Sequence, residues 1–423
     1  MPTLPRMMTV RQCFPESVAL DIAAEVEKAL GPACASLKPG ARIAVAVGSR
    51  GITQLQAIVR AVVQTLQAAG ARPFIVPAMG SHGGGTPEGQ TELLSDYGIS
   101  PQALGVPIHA SVEADKLGTT QDGHDVYFSR EARRADGILV VNRVKPHTDF
   151  RGKLGSGLLK MMVVGLGKRD GASRFHRAVG RLGGEYVLRT SARLILERAP
   201  IWGGLALVEN QHHHTASIDF LAPSDMERRE EELVARAGRL MARLPFDRVD
   251  LLIVDRMGKN ISGSGMDPNV IGRGVHGYSS AWKERMADTP AVGRLFVREL
   301  SPESHGNATG LGMADFTTSR LVQSMDRRVT TLNTLTSMSL ECVKIPAYFD
   351  TDRETLEAAL DTLVLTPEEP VRMMRVWDTL NLNLVQVSEA YGEEVAARED
   401  LEVVRDLAAV EFDPQGNLPA LGF

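Results

Sequence analysis

The stretch from residue 42 to residue 80 constrains the fold most, because strand and helix patterns alternate within it. RIAVAVG (42–48) is a short apolar run ending in glycine, which is typical of a buried strand. TQLQAIVRAVVQTLQAAG (53–70) has apolar residues at helical spacing and a terminal glycine, a common helix C-cap. PFIVPAMG (73–80) is strand-like again. Alternating strands and helices predict a parallel sheet covered by helices on both faces.

The same pattern continues through the first half of the chain. GILVVNRV (137–144) and GLALVEN (204–210) are further strand candidates, and Thr86 followed by Pro87 predicts the start of a helix. Ligands of such sheets bind at the carboxyl ends of the strands, so we expect the loops that follow three of these strands to converge on one crevice. These loops are 48–52, 80–87 and 144–160.

A domain boundary is predicted near residue 245. Residues 226–244 read as a strongly charged helix with one solvent-exposed face, and DLLIVDRMG (250–258) then begins a new α/β pattern. We expect an α/β protein of two domains, 1–245 and 246–423, with mainly parallel sheets and an active site in the cleft between them. Helical stretches of the second half are predicted at 319–339, 353–363 and 368–381.

Charge, cysteine content and hydropathy exclude several classes of protein. The net charge of -5 argues against nonspecific binding to nucleic acid or to an anionic membrane. Three widely separated cysteines fit a reducing compartment and disfavour a cysteine-ligated zinc or iron–sulfur site. No segment approaches the roughly 18 consecutive apolar residues of a membrane span, and MPTLPRMMTVRQ lacks the apolar core of a signal peptide. We therefore expect a cytoplasmic protein.

MGSHGGG (79–85) is the first candidate binding segment. Three consecutive glycines let backbone N–H groups approach a ligand closely, and a helix is predicted just after them, which suits an anion such as phosphate. His82 lies within this loop. A flexible turn with an incidental histidine is the alternative interpretation.

KPHTDFRGKLGSGLLK (145–160) is the second candidate segment. His147 follows a strand and a proline, and glycines precede Lys160. A lysine in such a loop counters a phosphate or points to water, and it becomes a nucleophile when desolvation lowers its pKa. His176 follows sixteen residues after Lys160. A lone histidine is more often structural than a ligand, but here three histidines and a lysine fall at or near strand-following loops.

Two further segments offer binding groups. Arg50 in GSRG follows the first clear strand, where a guanidinium is well placed to bind a carboxylate; the alternative is a surface salt bridge. In a strand, His212 and His214 of the HHH run would share one face and could hold a metal, but a solvated loop is the favoured interpretation. The sequence has no dinucleotide fingerprint in a Rossmann context, no P-loop and no HExxH motif.

Taken in order, these residues resemble the LarA family of nickel-pincer nucleotide-dependent 2-hydroxyacid racemases and epimerases. The family pattern has an arginine after the first strand, a histidine loop, a PH…G…GG..K loop, and a histidine sixteen residues past that lysine. The sequence is similar over about residues 40–220, and the matching residues are Arg50, His82, His147, Lys160 and His176.

The resemblance implies a cofactor and a role for each matching residue. The cofactor is a pyridinium mononucleotide whose two sulfur-containing arms and one ring carbon hold nickel; His176 would complete the nickel coordination, and Lys160 would join a thioacyl arm. His82 and His147 would be the two bases while hydride passes between the substrate and the cofactor. Arg50 would bind the substrate carboxylate. The other residues expected to contact the cofactor are Ser81, Gly83, Gly84, Gly155 and Gly157.

The sequence departs from the family pattern in ways that bear on the substrate. The arginine segment, AVGSRGI, lacks the family's aspartate and proline, and the loop between His147 and Lys160 is longer. The Gln-x-x-Lys pair of the lactate-type members is missing, so Lys259 and Asn260 become the candidate substrate contacts of the second half. We therefore predict a 2-hydroxy acid other than lactate as the substrate.

Three functions are carried forward from the sequence. A racemase or epimerase is favoured; the alternatives are a pincer-nucleotide-binding protein without turnover and a conventional α/β oxidoreductase or hydrolase. The favoured function requires a small-molecule 2-hydroxy acid and separate enzymes that build the cofactor. Neither nucleic acid nor a membrane is an expected partner, and a homodimer is compatible with the sequence.

Overall fold

The computed structural model of the protein describes residues 4–16, 19–48, 51–148, 152–275, 289–366 and 368–421. Its strands are Met7–Gln12 (β1), Arg42–Val47 (β2), Arg72–Pro77 (β3), Ala114–Thr119 (β4), Asp125–Ser129 (β5), Gly137–Arg143 (β6), Ile201–Glu209 (β7), Thr215–Leu221 (β8), Arg248–Met257 (β9), Ala291–Leu300 (β10), Phe316–Thr318 (β11), Ala347–Phe349 (β12), Met373–Val376 (β13), Leu384–Ser388 (β14) and Leu401–Ala408 (β15). Its α-helices are Ile22–Cys34 (α1), Leu55–Ala68 (α2), Pro87–Asp96 (α3), Pro101–Leu104 (α4), Arg130–Arg133 (α5), Leu158–Lys160 (α6), Lys168–Leu182 (α7), Gly184–Arg198 (α8), Met226–Leu240 (α9), Pro268–Ile271 (α10), Ser319–Ser324 (α11), Arg327–Ser337 (α12), Asp352–Asp361 (α13) and Gly392–Ala396 (α14).

The chain forms two compact units. The first unit is residues 16–241, and the second unit is residues 1–15 together with 242–423. The predicted domains, 1–245 and 246–423, differ from these units at the N-terminus, because β1 pairs with β14 and β15 of the second unit.

The first unit is built on a five-stranded sheet of order β3-β2-β6-β7-β8. The pairs from β3 to β7 are parallel, and β8 is antiparallel at one edge. Along β2, Ala44 and Ala46 pack into one hydrophobic cluster, whereas Ile43 and Val45 pack into another. This alternation buries both faces of the sheet, one under α1 and α2 and the other under α6 to α9.

The predicted secondary structure of the first unit is confirmed where local patterns determine it. The strand and helix patterns of residues 42–80 correspond to β2, α2 and β3. The predicted helix start is also confirmed, because the Thr86 side chain accepts a hydrogen bond from Gly89 N at 3.1 Å and Pro87 begins α3. In the charged stretch 226–244, Met226–Leu240 form α9, whose apolar face is buried.

The second unit contains an eight-stranded mixed sheet of order β12-β11-β10-β9-β13-β14-β1-β15. The pairs from β12 to β13 are parallel, and the remaining pairs are antiparallel. The predicted strand 250–258 is β9, and the predicted helices at 319–339 and 353–363 correspond to α11, α12 and α13.

One prediction for the second unit is wrong. The sequence predicts a helix over residues 368–381, but β13 lies in this stretch, between β9 and β14, and all four of its residues are buried. Arg375 in β13 makes the segment look like a helix with a polar face. Its guanidinium is buried because Arg375 Nε and Nη2 donate to the Asp255 carboxylate of β9 at 2.8 and 2.7 Å.

The predicted fold class is confirmed as α/β with mainly parallel sheets. The expected location of the active site between the domains stays a prediction. No helix in the described ranges is long and apolar enough to cross a membrane.

Candidate functional site

The candidate site of the first unit lies at the carboxyl edge of the five-stranded sheet. β3, β2 and β6 are adjacent parallel strands, so the loops that follow them leave the sheet at the same edge. The loop after β3 carries His82, and the loop after β6 carries His147. Arg50, which follows β2, lies outside the described residues, so its predicted role in binding a carboxylate stays a prediction.

Glycines in left-handed conformations shape the loop after β3. Gly83, Gly84 and Gly85 form a 3-10 turn with φ of 64°, 65° and 66°, a region that favours glycine. A Cβ on Gly83 would lie 2.6 Å from the Gly89 backbone, so the turn packs closely against the first turn of α3. A Cβ on Gly84 or Gly85 would meet no atom within 4 Å, so the outer side of the turn is open.

The open side of this turn presents backbone hydrogen-bond donors. Neither Gly83 N nor Gly84 N donates a hydrogen bond to another residue of the described chain. Successive N–H groups in such a turn, next to a helix N-terminus, suit an anion. The loop therefore fits the chemistry expected of a phosphate cradle, while the contacts predicted for Ser81, Gly83 and Gly84 stay predictions.

A buried glutamine of α3 braces the loop that carries His82. Gln90 is fully buried, and its Nε2 donates to Gly80 O at 3.2 Å and to His82 O at 3.3 Å. On the other side of the loop, Gly80 N donates to Gly165 O at 3.1 Å. The imidazole of His82 is exposed. The backbone of His82 is thus held from inside the protein, and its side chain faces outward.

Lys168 is a buried residue of this region that the sequence analysis missed. Its Nζ donates to Pro77 O, at the carboxyl end of β3, at 2.6 Å, and the residue is fully buried. Burial lowers the pKa of the Lys168 ammonium to about 8. The sequence GLGKRDG reads as an exposed charged turn, and nothing in its pattern distinguishes this lysine from its neighbours.

The loop after β6 is closed by its own backbone. Lys145 and Ser156 exchange two backbone hydrogen bonds of 2.8 Å, so the two ends of this loop are held together. His147 is buried within it, and its Nε2 contacts Nζ of the half-buried Lys160. The structure therefore brings together two predicted site residues that lie thirteen positions apart in the sequence.

The glycines of this loop are required by the packing of the protein itself. A Cβ on Gly155 would overlap Lys145 O, and a Cβ on Gly157 would overlap the Glu230 carboxylate. Packing within the protein therefore explains why both positions are glycine, without reference to a ligand. The prediction that Gly155 and Gly157 contact a cofactor is untested.

His176 lies half-buried on α7, the helix that begins with Lys168. Since Lys168 is bound to the carboxyl end of β3, α7 starts beside the candidate site, and His176 follows roughly 12 Å further along the helix axis. Within the described ranges, no group of three or more His, Cys, Asp or Glu side chains could hold a metal ion. The predicted role of His176 as a nickel ligand stays a prediction.

Glu209 connects the ends of two strands to the segment that follows β2. Glu209 at the end of β7 pairs with Nη1 of Arg143 at the end of β6. The other carboxylate oxygen of Glu209 accepts a hydrogen bond from Thr53 N at 3.0 Å. The ends of β6 and β7 and the segment that follows β2 are thereby tied together at the carboxyl edge of the sheet.

The remaining predicted residues lie elsewhere. Lys259 and Asn260 are in the loop after β9 of the second unit, where Lys259 N donates to Ser304 Oγ at 2.9 Å and Asn260 Oδ1 accepts from Ser301 Oγ at 2.6 Å. Their expected role in binding substrate is untested. His212 and His214 are exposed in the turn between β7 and β8, which confirms the solvated loop rather than a strand face.

The chain is similar to known proteins in both sequence and structure. Residues 11–182 match the family described as the lactate racemase N-terminal domain. The lactate racemase apoprotein from Thermoanaerobacterium thermosaccharolyticum is 12% identical with a TM-score of 0.48, over 94% of this chain and 96% of that chain. A protein from Thermotoga maritima is 13% identical with a TM-score of 0.48, over 77% of this chain and 84% of that chain. No curated protein matches the sequence.

Proposed function

We propose that the protein is a racemase or epimerase of a 2-hydroxy acid in the LarA family, and the match of residues 11–182 to the lactate racemase N-terminal domain supports this proposal. The observation that carries this proposal is the contact between His147 Nε2 and Lys160 Nζ. These two residues were singled out from their order in the sequence, and they meet at the sheet edge from which the His82 loop also leaves.

Inverting a 2-hydroxy acid requires a proton to leave and return at the hydroxyl group while the configuration at Cα changes. Two bases on opposite sides of the substrate serve both directions of the reaction, and histidine suits this task because its ordinary pKa lies near 6.5. We assign the two roles to His82 and His147. Burial of His147 fixes its orientation, and the brace from Gln90 holds the backbone of His82. Arg50, Lys259 and Asn260 are proposed to bind the substrate.

The residues present fit the nickel-pincer nucleotide. The N–H groups of Gly83 and Gly84, which donate to no other described residue, suit its phosphate. The amine of Lys160 suits a covalent or ionic link to an arm, and the imidazole of His176 is one donor for nickel. When bound, this group supplies the acceptor for the hydrogen of the substrate Cα. The chain's own residues bind the acid and move the hydroxyl proton.

The proposal is tested with protein produced together with the enzymes that build the cofactor. Bound nickel is measured per chain, and each enantiomer of a panel of 2-hydroxy acids is then followed by chiral chromatography. We expect nickel near one per chain, loss of nickel in His176→Ala, and interconversion of at least one acid. His82→Ala and His147→Ala should keep nickel and lose interconversion, whereas His212→Ala, in the exposed turn, should match the wild type in both.

A substrate carrying deuterium at Cα separates the possible chemistries. Hydride transfer within the site predicts that the acid loses its configuration and keeps its label. Direct removal of the Cα proton by a histidine would instead exchange deuterium with solvent. Stoichiometric nickel with no acid interconverted would indicate a binding protein without turnover, and protein with neither nickel nor nucleotide would favour a conventional α/β enzyme.

A further inference from the structure

Glu230 is a carboxyl group on the apolar face of a charged helix. It belongs to α9, where the other buried residues are Met226, Leu233, Val234 and Ala237. The residue is fully buried, and its Oε1 has no hydrogen-bond partner within the described chain. Burial raises the pKa of the Glu230 carboxyl to about 7, although hydrogen bonds from Leu159 N and Leu158 N act in the opposite direction. A carboxyl at such a position is costly, so its contacts indicate what it does.

These contacts are all with one turn of backbone. Glu230 Oε2 accepts hydrogen bonds from Leu158 N at 2.8 Å and from Leu159 N at 3.1 Å. The carboxylate can come this close because residue 157 is glycine and leaves the space that a Cβ would fill. On the other side of the same turn, Asn142 Nδ2 donates to Gly157 O at 2.8 Å. The turn from residue 157 to residue 159 is thus fixed by two buried or half-buried side chains.

The fixed turn leads directly into Lys160. Residues 158–160 form α6, which continues as a π-helical turn over Met161–Gly165. Lys160 is therefore one residue beyond the last N–H group that Glu230 binds, and its Nζ contacts His147 Nε2. A shift of the turn would move Lys160 and change its contact with His147.

We propose that Glu230 is a positioning residue: it holds the turn before Lys160 so that the amine of Lys160 meets the imidazole of His147. This inference rests on the proposed function for its importance to activity, but the physical link between Glu230 and Lys160 is independent of it. Glu230 does not touch the reacting groups itself; it acts through the backbone of residues 158–160.

The link is tested first on cofactor-free protein by trace labelling with acetic anhydride. The labelling rate of Lys160 is read from its peptide by mass spectrometry, relative to Lys28, whose side chain is 74% exposed. In Glu230→Leu both N–H groups lose their acceptor, so Lys160 is released from His147 and is labelled severalfold faster. Glu230→Gln retains an oxygen that accepts both hydrogen bonds, so its Lys160 labelling stays near the wild-type rate. Glu232→Gln, on the same helix but with a side chain 53% exposed, is the matched control and should also match the wild type.

Gly157→Ala provides a second route if the leucine variant does not fold. Its φ of -169° is accessible to alanine, so the substitution acts by pushing the Glu230 carboxylate away rather than by straining the backbone. It should accelerate Lys160 labelling in the same direction. A folded Glu230→Leu or Gly157→Ala protein with wild-type labelling of Lys160 would overturn the inference.

The cofactor-loaded enzyme then reports the consequence for activity. Glu230→Leu should lower kcat on the order of 10²-fold, the effect of misplacing a catalytic group by about 1 Å, while KM changes little. Glu230→Gln should restore most of the activity. If the wild type interconverts no acid but the labelling results hold, the proposed function fails and the positioning role stands. If labelling is unchanged in an active enzyme, only the positioning role fails.

Discussion

His82 is exposed on a turn of left-handed glycines with open space around it, whereas His147 is buried against Lys160 in a loop closed by its own backbone. Both histidines follow strands of one sheet, yet only the second is packed before any ligand binds. The glycines of the first loop leave backbone N–H groups available, and those of the second make room for a carbonyl and a carboxylate of the protein. Similar glycine-rich sequences therefore build an open cradle in one place and a preorganised pair in the other.

The two loops are also anchored by opposite buried charges. Lys168 binds the end of β3, just before the His82 loop, and Glu230 binds the turn before Lys160. Burial disfavours the charged form of each group, so the two anchors respond to pH in opposite directions.

The largest expected effect is a loss of kcat that is similar for the two histidines, so the free energy of unfolding is what distinguishes them. His82→Ala and His147→Ala should each lower kcat by about 10²–10⁴-fold, the usual contribution of a general acid–base group. The exposed His82 should change the free energy of unfolding by no more than about 0.5 kcal/mol, because exposed side chains contribute little. Replacing the buried His147 should lower the free energy of unfolding by more than replacing His82. Steady-state kinetics and urea unfolding of both variants test this, and equal stability losses would contradict the contrast between an open and a packed loop.

Replacing Lys168 with methionine should change how stability depends on pH. The pKa of Lys168 is lowered in the folded state from 10.5 to about 8, so its favourable contribution is present above pH 10.5 and is lost as pH falls through 8. The wild type minus Lys168→Met difference in unfolding free energy should therefore increase by about 3 kcal/mol between pH 7 and pH 10.5. Lys28→Met, at an exposed position, should show no such slope. A flat difference for Lys168→Met would mean that this amine is not desolvated.

For Glu230→Gln, the wild type minus variant difference in unfolding free energy should decrease with rising pH, which is opposite to the trend for Lys168→Met. The pKa of Glu230 is raised from 4.5 to about 7, so its contribution is present below pH 4.5 and is lost as pH rises through 7. Between pH 4.5 and pH 8, the unfolding free energy of the wild type should fall by up to about 3 kcal/mol relative to that of Glu230→Gln. Urea unfolding across that range measures it, with Glu232→Gln as the exposed control. Parallel curves for the wild type and Glu230→Gln would place this carboxyl in contact with water.

The smallest expected effects compare neighbouring glycines of the open turn. Gly84→Ala should cost roughly 1–2 kcal/mol, the penalty of a left-handed alanine with free space around it. Gly83→Ala should cost more, because its Cβ would also lie 2.6 Å from the Gly89 backbone. Thermal unfolding of the two variants provides the measurement. Equal destabilisation would show that the turn relaxes away from α3.

Local patterns predicted the parts of the molecule that local interactions determine. The strand–helix–strand segment of residues 42–80 and the cap formed by Thr86 are examples, because apolar spacing and turn chemistry decide them. The order of site residues in the sequence was enough to single out His147 and Lys160. The resemblance rather than any pattern suggested their chemistry.

The features that sequence reasoning missed depend on partners far away along the chain. Buried Arg375 donates to the carboxylate of Asp255, and buried Glu230 occupies space that a side chain at residue 157 would fill. The run MERREEELVARAGRL contains several glutamates, and its sequence pattern does not identify Glu230 as the buried one. Lys168 is equally indistinct, since its acceptor is a carbonyl oxygen ninety-one residues earlier in the chain.

The position of β1 has a consequence for how the protein is made. β1 lies between β14 and β15, so Met7 pairs with Ser388 on one side and Ala408 on the other. The ribosome synthesises β1 before residues 16–241, and β14 and β15 after them. Residues 16–241 contain their own sheet, whereas the second sheet cannot be completed until β15 has been synthesised, so its pairing with β1 is a long-range contact that forms slowly.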